Sequence, residues 1–547
     1  MPESEDKPKK KVVKKTAAKK TAVKKKTVPK KTTKAAPVKP VSKPPVKKKS
    51  NLGAIIVVIG VFLIVAVLAT FEYMSQSAPV DPVYNGSNEP VEVRRVRPST
   101  VAGSFYPESK KQLQEQVLGQ MISASDSVPG VDVQALLVPH AGLGFSGAVA
   151  ASAYKTLVDS DITRAIILGP AHHVAFDGIA VSSYDTWRTP LGEAVLAEAN
   201  VELISEDGEV FVENDTAFMN ENSIEVQIPF LQVLFPEVEI VPLAVGQMTE
   251  ETRVVAATKI EALLDENTIL LASSDLSHYL EAEECEEIDE ETIELILEGE
   301  QEDMLEIDAC GREPILIANL IANNNEWNRS LIDYANTGDV TGDDSRVVGY
   351  PAIAYYLGDI EEEGNDTLQS VSDEQQDYLL ELARTTIETF ILEDEIYEPE
   401  EPEDEFLLQE SGAFVTLNIN EELRGCIGHT LAQEALYLAV RDNALAAATE
   451  DARFDAVSAE ELEDIEIEVS ILTAPESVEL YAIESGSDGV ILTSGSKSAT
   501  FLPSVWDSFD DAGEFMEALS EKAGLEDDAW LNENTTFESY NTISFSE

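Results

Sequence analysis

The sequence predicts two folded domains, an α/β domain with a largely parallel sheet followed by an α+β domain. Three observations carry that reading. Between about Arg97 and Gly358, short apolar runs alternate with stretches of helical spacing, the pattern of strands joined by crossover helices. Three of those runs end in histidine: Ala135-Leu-Leu-Val-Pro139 leads into His140-Ala-Gly142, Ala165-Ile-Ile-Leu-Gly-Pro170 into Ala171-His172-His173, and Ile269-Leu-Leu-Ala-Ser-Ser-Asp275 into Leu276-Ser277-His278-Tyr279. Finally, the polar, acidic stretch 359–374 separates this pattern from a second one, in which Ile465-Glu-Ile-Glu-Val-Ser-Ile-Leu472 alternates polar and apolar residues.

Taken in order, residues 1–50 hold 19 Lys against three acids (Glu3, Glu5 and Asp6) and cannot bury a core, so they read as a disordered basic tail. Leu52–Phe71 is 20 residues without a charge, which as a helix spans roughly 30 Å, the thickness of a bilayer core. The expectation is one transmembrane helix at 52–71, with the Lys-rich N-terminus cytoplasmic and the domains extracytoplasmic. Residues 72–96 form a linker with Pro79, Pro82, Gly86 and Pro90. In the first domain, 97–358, helices are expected at Ser146–Leu157, Ser223–Leu231 and Val254–Leu264. Pro229 must end the middle one unless it lies in a first turn. Val238–Gly246 reads as a further strand. The second domain, 375–547, opens with a helix at Tyr378–Ile391 and an acidic loop, Glu393–Phe406. Strands follow at Ala413–Leu417, Ile465–Leu472 and Gly489–Leu492, with helices at Glu434–Thr449 and Ala512–Ala523.

The formal net charge is −65 despite the basic tail, so the remainder is strongly acidic. Such a body is repelled by nucleic acid and by anionic lipid. The tail lacks aromatics to stack bases, so attraction to lipid head groups is favoured over nucleic-acid binding. Three cysteines, Cys285, Cys310 and Cys426, are no disulfide framework.

The carboxyl ends of parallel strands are where ligands sit in open α/β folds, and imidazole is the commonest metal ligand and acid/base. Histidines gathered at those ends therefore predict a metal or acid/base site. Asp275 and His278 lie three apart after a strand and can face one pocket, the carboxylate orienting one ring nitrogen and leaving the other for proton transfer. His173 reads as a solvent-facing neighbour of His172, and Cys285 as a thiol without function in an acidic helix. In Leu423-Arg-Gly-Cys-Ile-Gly428, the glycines permit a tight turn and Arg424 can lower the pKa of Cys426, with His429 nearby as a base. The alternative is a cysteine packed where glycine lets backbones approach, and it is slightly favoured.

Six segments of the first domain together resemble the Memo family, protein B of the AmmeMemoRadiSam set. They are Arg97-Pro-Ser-Thr-Val-Ala-Gly-Ser-Phe-Tyr-Pro107, Pro139-His-Ala-Gly142, Leu168-Gly-Pro-Ala-His-His173, Glu221-Asn-Ser-Ile-Glu-Val-Gln-Ile-Pro-Phe230, Ser274-Asp-Leu-Ser-His-Tyr279 and Ala309-Cys-Gly-Arg-Glu-Pro-Ile315. The second domain resembles the AMMECR family, protein A of the same set, through Gly412-Ala-Phe-Val-Thr-Leu417, Leu423-Arg-Gly-Cys-Ile-Gly428, Ala452-Arg-Phe454, Glu468-Val-Ser-Ile-Leu472 and Phe501-Leu-Pro-Ser-Val-Trp506. The resemblance implies a fold like that of the extradiol, non-haem iron dioxygenases. It also implies a metal site of His140, His172 and Cys310, with Asp275 and His278 lining the same pocket. A radical-SAM protein, the third member of the set, is the partner it implies. Asn222 stands where many Memo members have histidine. An amide cannot titrate, which weighs against oxygenase-like turnover more than against metal binding.

Two imidazoles and a thiolate suit iron, copper or zinc rather than magnesium or calcium, and three protein ligands leave a position open. Fe(II) or Cu is the expected cofactor, with Zn as the alternative. The expected function is an oxidoreductase on an unknown small-molecule or peptide substrate. The rivals are a non-catalytic module that holds metal or a peptide, and a hydrolase using metal-bound water.

Overall fold

The computed structural model describes residues 94–547 apart from 125–127, 129, 207, 302, 359, 361–370, 421 and 431–433, together with the paired strands Val83–Tyr84 and Pro90–Val91. The chain divides into two units, Met1–Val91 and Glu92–Glu547. The basic tail and the apolar segment 52–71 lie outside the described residues.

Among the described residues, no helix is long and apolar enough to cross a membrane. The longest of them, Asp373–Glu393, buries Leu379, Leu380, Leu382, Ala383, Thr386 and Ile387 along one side and carries acidic residues elsewhere, as a helix lying on a core does. The expectation of a single-pass membrane protein with extracytoplasmic domains is corrected accordingly.

In the first part of the Glu92–Glu547 unit the principal elements alternate as expected as far as Ser273, apart from the unexpected short strands Ile179–Val181, Thr186–Thr189, Gly192–Leu196 and Phe211–Glu213 and the helix Ala199–Glu206. The principal elements are α1 (Lys110–Ser123), β1 (Asp132–Val138), α2 (Leu143–Lys155), β2 (Arg164–Pro170), α3 (Ile228–Leu234), β3 (Glu239–Val245), α4 (Glu250–Glu261), β4 (Thr268–Ser273), α5 (Ala282–Glu298), α6 (Arg312–Asn324), β5 (Asn328–Asn336) and β6 (Val347–Leu357). Pro229 lies in the first turn of α3, where its missing N–H costs nothing. Strands β1, β4, β2 and β3 are neighbours in that order and run parallel. The margin beside β1 is antiparallel: β6 pairs with β1 on one side and with β5 on the other, and the short strand His278–Leu280 also joins β6. The sheet is thus mixed: beyond β3 the pairing with Gly192–Leu196 is parallel again, and that with Ile179–Val181 is antiparallel.

Each central strand carries a continuous apolar run because both of its faces are covered there. Leu136, Val138, Ile167 and Leu271 enter one core, with Val117, Met121 and Val149 of α1 and α2. Ala135, Leu137, Ile166 and Leu270 enter another, with Ala256, Ile296 and Ile317 of α4, α5 and α6. With helices on both faces, the carboxyl ends of the strands are the open edge of the sandwich.

The remainder begins with α7 (Asp373–Glu393), capped by Ser372 and Gln375, so the helix starts inside the expected linker. One sheet holds β7 (Gly412–Ile419), β8 (Glu422–His429), β9 (Ile465–Leu472) and a last strand, Thr542–Ser546; α8 (Leu436–Thr449) packs on β7 and β8. A second sheet holds Glu476–Val478, Gly489–Ser494, Lys497–Phe501 and Thr535–Tyr540. On β9 the residues Ile465, Ile467 and Val469 are buried while Glu466 is exposed, as the alternation requires. The two parts share a core: Leu118 and Ile122 of α1 pack with Ile483, Phe515, Met516 and Trp530. Lys155, buried at the end of α2, donates from Nζ to the carbonyls of Tyr481 (3.0 Å) and Ile483 (2.9 Å).

Candidate metal centre

His140 follows β1 directly and is buried. Its neighbours fix its tautomer. The single hydroxyl proton of Ser273, the last residue of β4, goes to the carbonyl of Ser223 (2.6 Å). Ser273 Oγ therefore accepts from Gln227 Nε2 (3.0 Å) and from His140 Nδ1 (3.0 Å). His140 Nε2 is left as an acceptor, taking the Cys310 S–H at 3.1 Å. Burial pushes the pKa of His140 down, which keeps the ring neutral.

His172 follows β2. The Glu221 carboxylate accepts from its backbone N–H (2.7 Å) and from its ring Nδ1 (2.8 Å), leaving Nε2 free. This is the carboxylate–histidine pairing that orients metal ligands and raises their basicity. Burial acts to raise the Glu221 pKa, but His172 and the Ser223 amide outweigh it and hold the carboxyl at about 2. For His172 burial acts downward, and Glu221 reverses the sign and pushes it up.

Cys310 reaches the same place from the loop before α6. Its N–H donates to the Asp275 carbonyl (3.2 Å), and its Sγ accepts from the Asp275 N–H (3.3 Å). The loop passes so close to β4 that a Cβ on Gly311 would lie 2.4 Å from the Ser273 carbonyl oxygen. Burial, with the Asp275 charge, pushes the Cys310 thiol up to about 12, so a cation must displace its proton before the sulfur can ligate. Asp275 Oδ1 accepts from the His140 N–H (2.7 Å) and the Ala141 N–H (3.3 Å), while Oδ2 lies 4.0 Å from His140 Nε2.

The donor atoms of His140, His172 and Cys310 thus lie within 4.8 Å of one another, as do those of Asp275, His278 and Cys310. The imidazole rings of His140 and His172 meet edge to face at 5.2 Å. Three donors, two of them held by partners behind, fit a borderline-soft transition-metal ion with a position left open. Asn222 is no ligand: its amide donates to the His140 carbonyl (3.0 Å) and clamps that turn. His173 is exposed and belongs to neither donor set. Sequence reasoning did not assign the roles of Ser273, Glu221 and Gln227. The one available signal was that Glu221 and Gln227, polar groups that α/β cores exclude, sit in a segment otherwise rich in apolar residues.

The other two cysteines are placed differently. Cys285 is fully buried; its Sγ accepts from Ser277 Oγ (3.1 Å) and donates to Asp289 Oδ2 (3.2 Å). Cys426 sits within β8, not at a turn. A Cβ on Gly425 would lie 2.3 Å from the Ala447 carbonyl oxygen, and one on Gly428 2.3 Å from Phe414 Cγ, so those glycines admit helix α8 and a neighbouring ring. Arg424 pairs with Glu461 (2.8 Å), and the Cys426 N–H donates to Asp451 (2.9 Å). Cys426 Sγ accepts from Thr416 Oγ1 (3.3 Å), and the exposed His429 closes the same strand.

Compared with known proteins, residues 97–354 match the family model described as Memo-like protein, and residues 380–545 match that of AMMECR1. A MEMO1 family protein of Methanococcoides burtonii is 35% identical over 273 residues, covering 47% of this chain and 99% of the relative. One from Archaeoglobus fulgidus is 34% identical over 270 residues, covering 48% and 99%. A crystal structure of an uncharacterized protein from Pyrococcus horikoshii is 34% identical, covers 32% of this chain and 93% of its own, and has a TM-score of 0.30.

Proposed function

Because the chain belongs to the MEMO1 family and carries an AMMECR1 region in the same polypeptide, we propose that it binds a transition metal, Fe(II) or Cu, through His140, His172 and Cys310. It uses that centre for an oxidoreductase reaction on a small molecule or peptide. One observation carries this reading: three donors from three different loops converge within 4.8 Å. Both imidazoles have Nδ1 engaged, by Ser273 and Glu221, so that each presents Nε2. The metal would supply a Lewis-acid or redox centre with a position open to substrate.

The chain's own residues have separate tasks. Ser273 and Glu221 fix the two rings. Asp275 holds the backbone of the His140 turn, and the half-buried imidazole of His278 stands beside Cys310 as a proton donor or acceptor. A second reading, a centre that holds metal without turnover, is favoured by Asn222, whose amide serves the His140 carbonyl and cannot move a proton.

Metal analysis of the full chain purified without oxygen tests the site. A tightly held ion should be present, and Cys310→Ser and His140→Ala should each remove it; retention in both variants overturns the assignment. Oxygen consumption by the iron-loaded chain with candidate reductants then separates turnover from holding.

A further inference from the structure

Cys310 belongs to two donor sets, not one. Its Sγ lies within 4.8 Å of a donor atom of His140 and of His172, and within 4.8 Å of one of Asp275 and of His278. A thiolate sulfur has lone pairs enough to bind two ions at once. The two sets differ in how their ligands are held. His140 and His172 are each fixed through Nδ1, whereas the His278 imidazole makes no hydrogen bond among the described residues; its ring meets that of Tyr279, edge on at 5.7 Å. Of the Asp275 carboxylate, Oδ1 is taken by two backbone N–H groups and Oδ2 remains on the site side.

The backbone at His278 also departs from regular structure. Its pairing with β6 breaks between His278 and Leu280, and the intervening Tyr279 sits at φ +63°, a conformation that costs energy in a residue with a Cβ. Bulges of this kind re-aim side chains.

We propose that the centre takes two borderline-soft transition-metal ions bridged by Cys310: one on His140 and His172, and a weaker one on Asp275 and His278. The proposal rests on the metal-binding reading above and extends it. When the second position fills, His278 becomes a ligand and no longer handles protons. An excess of metal therefore changes what the site can do. A ligand without an orienting partner binds about 10–100-fold more weakly than one that has it, which sets the loading order.

Co(II) titration of the metal-free full chain tests this, read through the thiolate-to-cobalt absorption band. The acidic surface also binds cations loosely, but without that band. Expected are two changes in the band, the second at least about tenfold weaker than the first. His278→Ala and His278→Gln should abolish the second and leave the first, with unchanged melting temperature, and Cys310→Ser should lose the band. Saturation after a single change, or two changes retained in both His278 variants, overturns the second position while leaving the first. Absence of any band in the unaltered chain overturns both.

Discussion

Cys310 and Cys426 are both half-buried thiols with charged and polar neighbours, yet their surroundings differ in kind. Around Cys310 the neighbours are donor atoms that no partner behind them occupies: Nε2 of His140, Nε2 of His172 and Oδ2 of Asp275. Around Cys426 the charged groups satisfy one another. Arg424 is bound to Glu461 and Arg453 to Asp451, and Asp451 also takes the Cys426 N–H. A constellation of metal-binding residue types becomes a site only when its polar groups have capacity left over after their neighbours are served.

The largest effect should separate these two thiols. Cys310→Ser is expected to lower affinity for the first Co(II) by at least about 100-fold, because a soft thiolate is replaced by a hydroxyl that stays protonated. Cys426→Ser should leave that affinity unchanged. Equal effects in a direct titration would erase the distinction.

Next in size is Glu221→Gln, expected to weaken metal binding by about 10–100-fold through the loss of the carboxylate behind His172. The same variant has a signature in acid. In the fold the Glu221 carboxyl sits at about 2, against an ordinary 4.5. As pH falls, the unfolded chain takes up this proton first, so the contribution of Glu221 is complete above about pH 5 and is lost as pH drops toward 2. Its size is of the order of 3 kcal/mol. Chemical denaturation of both chains at pH 7 and pH 3 should show the unaltered protein losing more stability than Glu221→Gln; parallel losses would contradict the role given to the carboxylate.

A pair of glycines sharpens the comparison. Gly311→Ala puts a methyl 2.4 Å from the Ser273 carbonyl oxygen, and Gly425→Ala puts one 2.3 Å from that of Ala447. Each should cost about 1–3 kcal/mol of stability by overpacking. Gly311→Ala alone should also weaken metal binding, since it displaces the loop that carries Cys310.

These particulars show which parts were legible beforehand. Apolar runs ending in histidine mark strands whose carboxyl ends are open, and the structure places His140, His172 and Asp275 there because the parallel pairing aligns those ends. Ser273 lies 133 residues from His140, and Glu221 lies 49 from His172, so no local spacing announces either contact. For Gly425 and Gly428 the close approach of backbones was legible and the turn was wrong, for a related reason. Two glycines around a cysteine look like a turn, whereas what requires them is a helix carbonyl and a ring brought up by the tertiary fold. The membrane placement rested on one apolar segment outside the described residues, and the described helices are built for cores.

The smallest effect concerns the order in which the thiols react. Alkylation requires the thiolate. Burial pushes the Cys285 thiol up to about 11 and that of Cys310 up to about 12, so both stay protonated at pH 8. Cys285 is in addition fully enclosed. Cys426 is partly exposed on β8, although the Thr416 hydroxyl covers its sulfur on one side. In the native metal-free chain, a maleimide should therefore label Cys426 first, slowly, and Cys310 after it, with Cys285 reacting only on unfolding. Metal should slow Cys310 further and leave the Cys426 rate as it was. Peptide mapping of the labelled chain with and without Co(II) reads all three rates together. Protection of Cys426 by metal, or labelling of Cys310 ahead of it, would mean that the two thiols are not the separate cases their neighbours make them.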